Sequence, residues 1–168
     1  TANALNTFGL AGTDAARVAN LLAGGANASS ANITDMAAAI QMSGSVAASM
    51  GVPIEDLTTA IALMANAGMS GSDAGTSLKT MLMRLGTPTA EAAALMRSLG
   101  ISIYDAQGTM LPMEQIIGQF GSALSGMTME QRNAALATIF GADAIRAANV
   151  VLMGGTEAFN EMLSLIHI

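Results

Sequence analysis

The sequence lacks several residue types on which active sites commonly depend. It contains no cysteine and no tryptophan, and its single histidine is His167, next to the last residue. Without cysteine there can be no disulfide, no thiolate nucleophile and no cysteine-ligated metal. Because no histidine lies in the body of the chain, a Ser-His-Asp triad is excluded there as well.

Aromatic and charged residues are also scarce. Aromatics make up 3% of the 168 residues and charged residues 11%, with a formal net charge of −6. Binding to a nucleic-acid backbone needs clustered lysine and arginine, whereas the basic residues here are few and scattered. We therefore expect no direct nucleic-acid site. The basic residues are Arg17, Lys79, Arg84, Arg97, Arg132 and Arg146.

Long apolar runs are missing too. The nearest candidate for a membrane span, residues 36–52, is interrupted by Gln41, Gly44 and several serines, so the sequence predicts no transmembrane helix. The apolar share of 52% comes largely from alanine, with leucine, isoleucine and 14 methionines. Alanine favours helices and methionine fills irregular gaps between them. Because alanine buries little apolar area, we expect self-association or packing against other parts of a longer chain.

Helix start and stop signals divide the sequence into about seven short helices. The first is expected from Thr13 or Asp14 to Leu22, with Gly24-Gly25 ending it before a polar loop at 27–32. Thr128 with Gln131 predicts a capping box at a later start. Further breaks are predicted at 51–53, 67–70, 86–88, 100, 126 and 141, and the later helices at 89–99, 113–124, 129–140 and 142–162.

Residues 101–112 interrupt the helical pattern. Apolar and polar residues alternate from Ile101 to Tyr104, which is typical of a strand. Asp105 to Gly108 has residues typical of a turn, and Thr109 to Pro112 would be the returning strand. We predict a small β-hairpin over about residues 101–112, lying on a helical surface because two strands alone are marginally stable. The predicted fold class is therefore mainly α, a multi-helix bundle or array with one small β-hairpin insertion.

Two pairs of side chains could carry chemistry, and each has a simpler explanation. Ser72 or Ser77 with Lys79 could form a Ser-Lys pair, but Ser77 is two residues from Lys79 and so lies on a different helix face. Glu55-Asp56 could serve acid–base catalysis. Its place in the first turn of a helix already accounts for both carboxylates through the helix dipole.

Glycine-rich and acidic turns offer no stronger candidate. The segments 24–25, 68–75 and 154–155 do not match a phosphate loop or dinucleotide fingerprint after a strand. Asp105 to Gly108 lacks the further oxygen ligands of a calcium loop. We predict no catalytic residue, no cofactor-binding residue, no cofactor and no metal site, and hence no enzyme.

The two ends of the sequence suggest a fragment. The chain begins Thr-Ala-Asn, without an initiator methionine or a basic leader. Residues 163–168 read Leu-Ser-Leu-Ile-His-Ile, the in-frame translation of a transposase adapter used in sequencing libraries. We interpret residues 163–168 as a read-through artefact and residues 1–162 as one helical domain of a longer chain. On that interpretation His167 is not native.

Several ordered strings carry a resemblance to a known family. They are ASSANITDMAAAIQMSGSVAASMGVPIEDLTTAIALMANAG from Ala28, AGMSGSDAGTSLK from Ala67, LGISIYDAQGTMLPM from Leu99 and MTMEQRNAALATIFGADAIRA from Met127. Together they resemble the core region of bacteriophage tail tape-measure (minor tail) proteins. The similarity runs from about Ala4 to Met162, and no catalytic residues belong to it.

The resemblance implies a structural role in the virion tail. Such proteins are very long, set the length of the tail and template polymerisation of the tail tube. The implied partners are the tail-tube protein, tail-assembly chaperones and tail-tip proteins, with the chain in the tube lumen or tip and in the host cytoplasm during assembly. A helix rises 1.5 Å per residue, so a mostly helical chain can act as a ruler. The alternative is a membrane-active module that assists DNA passage across the host envelope.

Overall fold

The computed structural model describes residues 2–167, which are mostly helical. That range contains nine α-helices, and a short 3-10 turn at Gly12–Asp14 joins the first two. The mainly α class is confirmed, with more helices than the seven expected. The helices are α1 (Ala2–Thr7), α2 (Ala15–Ala28), α3 (Ile33–Ser49), α4 (Ile54–Asn66), α5 (Gly71–Gly86), α6 (Ala90–Ser98), α7 (Met113–Leu124), α8 (Met129–Val151) and α9 (Gly155–Ile166).

Local capping explains where several helices begin. The Thr128 side chain accepts a hydrogen bond from the Gln131 backbone N–H at 3.2 Å, and the Gln131 side chain accepts one from the Thr128 N–H at 3.0 Å. This is the capping box expected from the sequence, and it satisfies two N–H groups that have no partner inside the helix. Asn32 and Asp35 form the same reciprocal arrangement at the start of α3.

The centre of the fold is a close crossing of α3 and α5. A Cβ atom added to Gly75 of α5 would lie 2.5 Å from the Ala39 carbonyl oxygen and 2.8 Å from the Ala39 Cα in α3. No side chain could stand between the two backbones there, so glycine is required by the close approach. Beside the crossing, the buried Ser43 hydroxyl donates to the Ala39 carbonyl at 2.7 Å, which satisfies it within its own helix.

A single apolar cluster joins this crossing to the remaining helices. The other face of α5 packs on α8, where Phe140 meets Phe120 of α7 with ring centroids 5.7 Å apart. Phe159 of α9 is buried in the same cluster. Leucine, isoleucine and methionine from α4, α5 and α7 supply most of the rest, with Leu57, Ile61, Met64, Leu78, Met81, Leu82, Leu85 and Ile116 almost fully buried.

The predicted β-hairpin at residues 101–112 is wrong. Within residues 2–167 no strand forms, and the segment contains one isolated antiparallel bridge, between Tyr104 and Met110. Pairing cannot extend toward the helices because the Ile101 N–H bonds to the Met96 carbonyl and the Ser102 N–H to the Gln119 side chain. The Asp105 N–H donates to the Thr109 carbonyl at 2.9 Å and the Leu111 N–H to the Ile103 carbonyl at 2.8 Å, so backbone pairing within the segment is confined to the surroundings of this bridge.

Residues 101–112 form an irregular connection between α6 and α7. The side chains of Ile101 and Ile103 are buried in the core, which accounts for the alternation seen in the sequence. The Tyr104 hydroxyl donates to the Gly86 carbonyl at 3.3 Å, where α5 ends. The alternation of apolar and polar residues therefore reflects the burial of Ile101 and Ile103 and does not indicate a strand.

Some predicted helix boundaries are also wrong. Helix α2 continues through Gly24 and Gly25 to Ala28, because these glycines allow close contacts with Ile166, Met36 and Thr58 instead of ending the helix. The helix predicted at 142–162 is interrupted after Val151, and α9 begins at Gly155. Helix α1 has no acidic first turn and was not predicted.

Gly141 divides α8 as the sequence predicted. Its backbone has φ 70° and ψ −179°, a conformation almost confined to glycine, and it bends α8 between two regular halves. Among the described residues, a Cβ added there would come within 4 Å of an Arg84 nitrogen alone, at 3.7 Å, which is an ordinary contact. The glycine is therefore needed for the backbone angle and not for space.

Asp56 connects the start of α4 to the start of α7. Its half-buried carboxyl group accepts a hydrogen bond from the Met113 backbone N–H at the first residue of α7. Burial raises the pKa of Asp56 above its usual value, the Met113 N–H acts against this, and the nearby carboxylates Glu55 and Glu114 add to the rise. His167 has a smaller lowering effect on the same pKa.

The last residues continue α9. Leu163 to Ile166 complete its final turns, with Ile166 buried against α2. Ile168 lies outside the described residues. The interpretation of residues 163–168 as non-native stays a prediction.

We predict that Gly75→Ala lowers the free energy of unfolding by about 1–3 kcal/mol, because α3 and α5 must separate to admit the methyl group. Gly121→Ala is the matched control, since Gly121 lies inside α7 with nothing within 4 Å of an added Cβ. The control should be neutral or gain up to about 1 kcal/mol. Urea unfolding followed by circular dichroism measures both, and equal stabilities for the two variants would contradict the close crossing.

We predict that Asp56→Asn changes the pH dependence of stability. Because the pKa of Asp56 is raised in the folded state, its contribution to stability is present in acid and is lost as the pH rises through that pKa. Asparagine still accepts the Met113 N–H but carries no charge. The variant should therefore gain stability relative to the parent at pH near 7, and the gain should shrink as the pH falls toward about 4.

Thermal unfolding of both proteins across this pH range measures the effect of Asp56→Asn. Glu91→Gln, at an exposed position in the first turn of α6, serves as the control for removing one carboxylate. A stability difference for Asp56→Asn that does not vary with pH would show that the buried carboxyl group is not responsible.

Candidate functional site

The possible Ser-Lys pair is not assembled. Ser77 is buried at 6% exposure, and its hydroxyl donates to the Asp143 backbone carbonyl of α8 at 3.1 Å. Ser72 is exposed near the start of α5, and Lys79 is half-exposed. The Ser77 hydroxyl therefore connects α5 to α8, and no hydrogen bond joins either serine to Lys79 among the described residues.

The adjacent carboxylates Glu55 and Asp56 point to different partners. Glu55 forms an ion pair with Arg17 of α2, and Arg17 also contacts Asp14 at 3.3 Å. Asp56 instead accepts the Met113 N–H of α7. Because the two carboxyl groups serve different helix–helix junctions, they do not converge on a common point where a substrate proton could be exchanged.

The turn that resembled part of a calcium loop is closed by its own side chain. Asp105 Oδ1 accepts the backbone N–H groups of Gln107 and Thr109, each at 2.9 Å. This arrangement is typical of an aspartate that stabilises a tight turn. From residue 2 to residue 167, no three histidine, cysteine, aspartate or glutamate side chains come together in a group that could hold a metal ion.

The described residues also contain surface clefts. One cleft of about 640 Å³ lies between α1 and α3, with Leu22 of α2 and Ile40 of α3 in its lining. A smaller cavity of about 140 Å³ lies beside Asp56, between Val52 and Met113. The cleft at α1 was not predicted, because α1 is only six residues long and carries no charged residue at either end. None of its lining residues carries a charge.

Among residues 2–167, one helix is long and apolar enough to cross a membrane by length and composition alone. This helix is α8. In its most apolar 18-residue stretch, 44% is buried inside the fold. Gly141 bends it midway, and Arg146 in its second half pairs with Asp73 of α5 at 2.8 Å. Since the core helix of a soluble protein passes the same test, the membrane-active alternative is not favoured.

Two curated relatives are similar to the chain along most of its length. It is 37% identical over 165 residues to the "Tape measure protein" of Pneumococcus phage Dp-1, covering 98% of this chain and 14% of that protein. It is 28% identical over 149 residues to the "Probable tape measure protein" of Escherichia phage P2, covering 88% of this chain and 18% of that protein. The chain therefore spans less than one-fifth of the length of either relative.

A family comparison agrees with these relatives. The sequence model of the family described as "Phage-related minor tail protein" matches residues 1–141, which includes everything from α1 to the bend in α8. No solved structure matches the chain significantly. The resemblance found in the ordered strings is confirmed: the chain belongs to the phage-related minor tail protein family.

Proposed function

We propose that this chain is a segment of a tape-measure protein that acts in tail assembly and tail-length determination. The observation that carries the proposal is the 37% identity, over 98% of the chain, to a protein named for that role. The helical architecture supports it, because helices give a fixed length per residue. The protein would be a virion tail component, in the tube lumen or at the tip, and would occupy the host cytoplasm during assembly.

The fold suggests which part of that role belongs to this segment. A ruler made of extended helix gains about 1.5 Å per residue. Here the helices fold back on one another, and the longest, α8, has 23 residues and is bent at Gly141. We infer that this segment is a compact domain that docks to other tail components, while the measuring length is supplied by the longer remainder of the protein.

The proposed partners are proteins of the tail. The tail-tube protein, the tail-assembly chaperones and the tail-tip proteins are the expected ones, with no direct nucleic-acid site. We also propose that the segment is not an enzyme. In support, the polar groups that could have served catalysis are engaged elsewhere: Ser77 bonds to the Asp143 carbonyl, and Glu55 pairs with Arg17.

In a phage that encodes this segment, we predict that in-frame deletion of the codons for residues 2–162 abolishes normal tails. The expected products are heads without tails together with unassembled tube protein, because tube polymerisation would lack its template contacts. Electron microscopy of lysates measures tail number and length. Supplying the intact gene in trans is the control and should restore tails.

The alternatives give different results in the same deletion experiment. A membrane-active module would leave tail number and length unchanged and would block entry of DNA into the cell. Tails of normal number and length would therefore contradict the proposed assembly role. A Gly121→Ala phage should assemble normally, since that position has open space around it.

A further inference from the structure

Gly24 is a glycine inside a helix whose backbone angles do not call for glycine. It lies in the second half of α2, and it is not among the glycines with a positive φ. Alanine is a better helix former than glycine at such a position, because glycine loses more conformational freedom when the helix forms. The presence of glycine is therefore explained by the space around it and not by the backbone conformation.

The space beside Gly24 is taken by the last turn of α9. A Cβ atom added to Gly24 would lie 2.6 Å from the carbonyl oxygen of Ile166 and 3.3 Å from its carbonyl carbon and its Cα. All three are backbone atoms, so no change of side-chain rotamer could make room for a methyl group. The contact would be the same with any residue at position 166.

The two sides of this contact differ in how they relate to the family. Gly24 lies within residues 1–141, which the family model matches. Ile166 lies within residues 163–168, which we interpreted from the sequence as a read-through artefact. A glycine in the family part of the chain thus makes its nearest contacts with the backbone of the segment whose origin is in question. This contact would be lost if the natural helix ended at Met162.

The likeness to the relative from Pneumococcus phage Dp-1 also extends beyond Met162. It covers 165 residues and 98% of this chain, so only about three residues at the two ends together lie outside it. It therefore continues into the last turn of α9. That relative has residues that correspond to this turn, which supports a natural helix of at least this length.

The apolar stripe of α9 continues through the same turn. Phe159, Met162 and Ile166 are buried at 1%, 6% and 3% exposure, and their spacing of three and four residues places them on one face of the helix. Ser164 and Leu165 are exposed on the other side. A helix that ended at Met162 would lack the last member of this stripe, where α9 meets α2.

We propose that Gly24 forms a seat on α2 for the backbone of α9, and that in the natural protein α9 continues through position 166 with an apolar residue there. The occupant of the seat is the helical turn that follows Met162, whatever its exact side chains. The helical domain then includes position 166 and does not end at residue 162. This inference does not depend on the role in the tail, because it concerns only the packing and the sequence of this domain.

Hydrogen exchange followed by mass spectrometry tests the seat in the full chain. The backbone amides of residues 163–166 should be protected in the parent. Gly24→Ala should increase their exchange by about tenfold, because the added methyl group displaces the last turn of α9. Gly121→Ala is the matched control, a helical glycine with open space around it, and should leave this exchange unchanged. Unchanged exchange at 163–166 in Gly24→Ala would overturn the proposal.

A double-mutant cycle asks whether the effect of Gly24→Ala comes from α9. Ser164→Pro, at an exposed position, interrupts the last turn without shortening the chain. Gly24→Ala should lower the melting temperature of the parent by roughly 2–10 °C, and in the Ser164→Pro background it should leave the melting temperature unchanged or raise it. Equal losses in both backgrounds would show that α9 does not occupy the seat. If Ser164→Pro does not fold, the exchange experiment alone decides.

The natural gene gives an independent test. Sequencing the phage DNA without a transposase-made library reads the codons that follow Met162. We expect four further codons for residues compatible with a helix, with an apolar residue at position 166. A stop codon, a proline at positions 163–166, or an aspartate or glutamate at position 166 would contradict the proposal and leave the space beside Gly24 to another occupant. The deletion experiment on tails is unaffected by either result, so the two proposals fail separately.

Discussion

The contact between Gly75 and Ala39 fixes how the helices of this protein are arranged. Large side chains are few in this sequence, so the helices gain contact by approaching closely instead of by interlocking bulky groups. Dispersion attraction between atoms weakens steeply with distance. A short distance between two helix backbones therefore compensates for the few atoms in small side chains. Helix α5 packs against α3 on one face and against α8 on another. The position of α5 therefore determines the position of α8, and with it the contact between Phe140 of α8 and Phe120 of α7.

At the helix junctions, hydrogen bonds from side chains join helices that are distant in sequence. Ser77 reaches the Asp143 carbonyl, Asp56 reaches the start of α7, and Asn66 at the end of α4 accepts from both the backbone and the hydroxyl of Ser30. Each of these bonds orients two elements that are distant in sequence. These polar groups therefore stabilise the positions of the helices that they join.

The sequence predicted the parts of the fold that depend on local chemistry. Capping at Thr128 and the bend at Gly141 follow from one residue and its near neighbours, and both are present. The failures involve contacts between distant residues. Gly24 stays helical because α9 packs on it. Pairing within residues 101–112 stays limited to one bridge because Met96 and Gln119 accept the N–H groups of Ile101 and Ser102.

The cleft between α1 and α3 was missed for a related reason. No local pattern announces a cleft that appears only when the short helix α1 packs on α3. The scarcity of charge before Glu55 could have drawn attention to it, since that is visible in the sequence alone. The family, by contrast, was accessible from ordered strings, because a shared string does not require knowledge of which residues touch.

The hydroxyl of Tyr104, which bonds to the last carbonyl of α5, has a practical optical consequence. The chain has no tryptophan and one tyrosine, so near-ultraviolet absorption and emission come almost wholly from this ring. Its fluorescence should thus follow the junction between α5 and the segment preceding α7, a single corner of the molecule. The tyrosine fluorescence of the unlabelled protein can therefore show whether this corner opens before the rest of the domain unfolds.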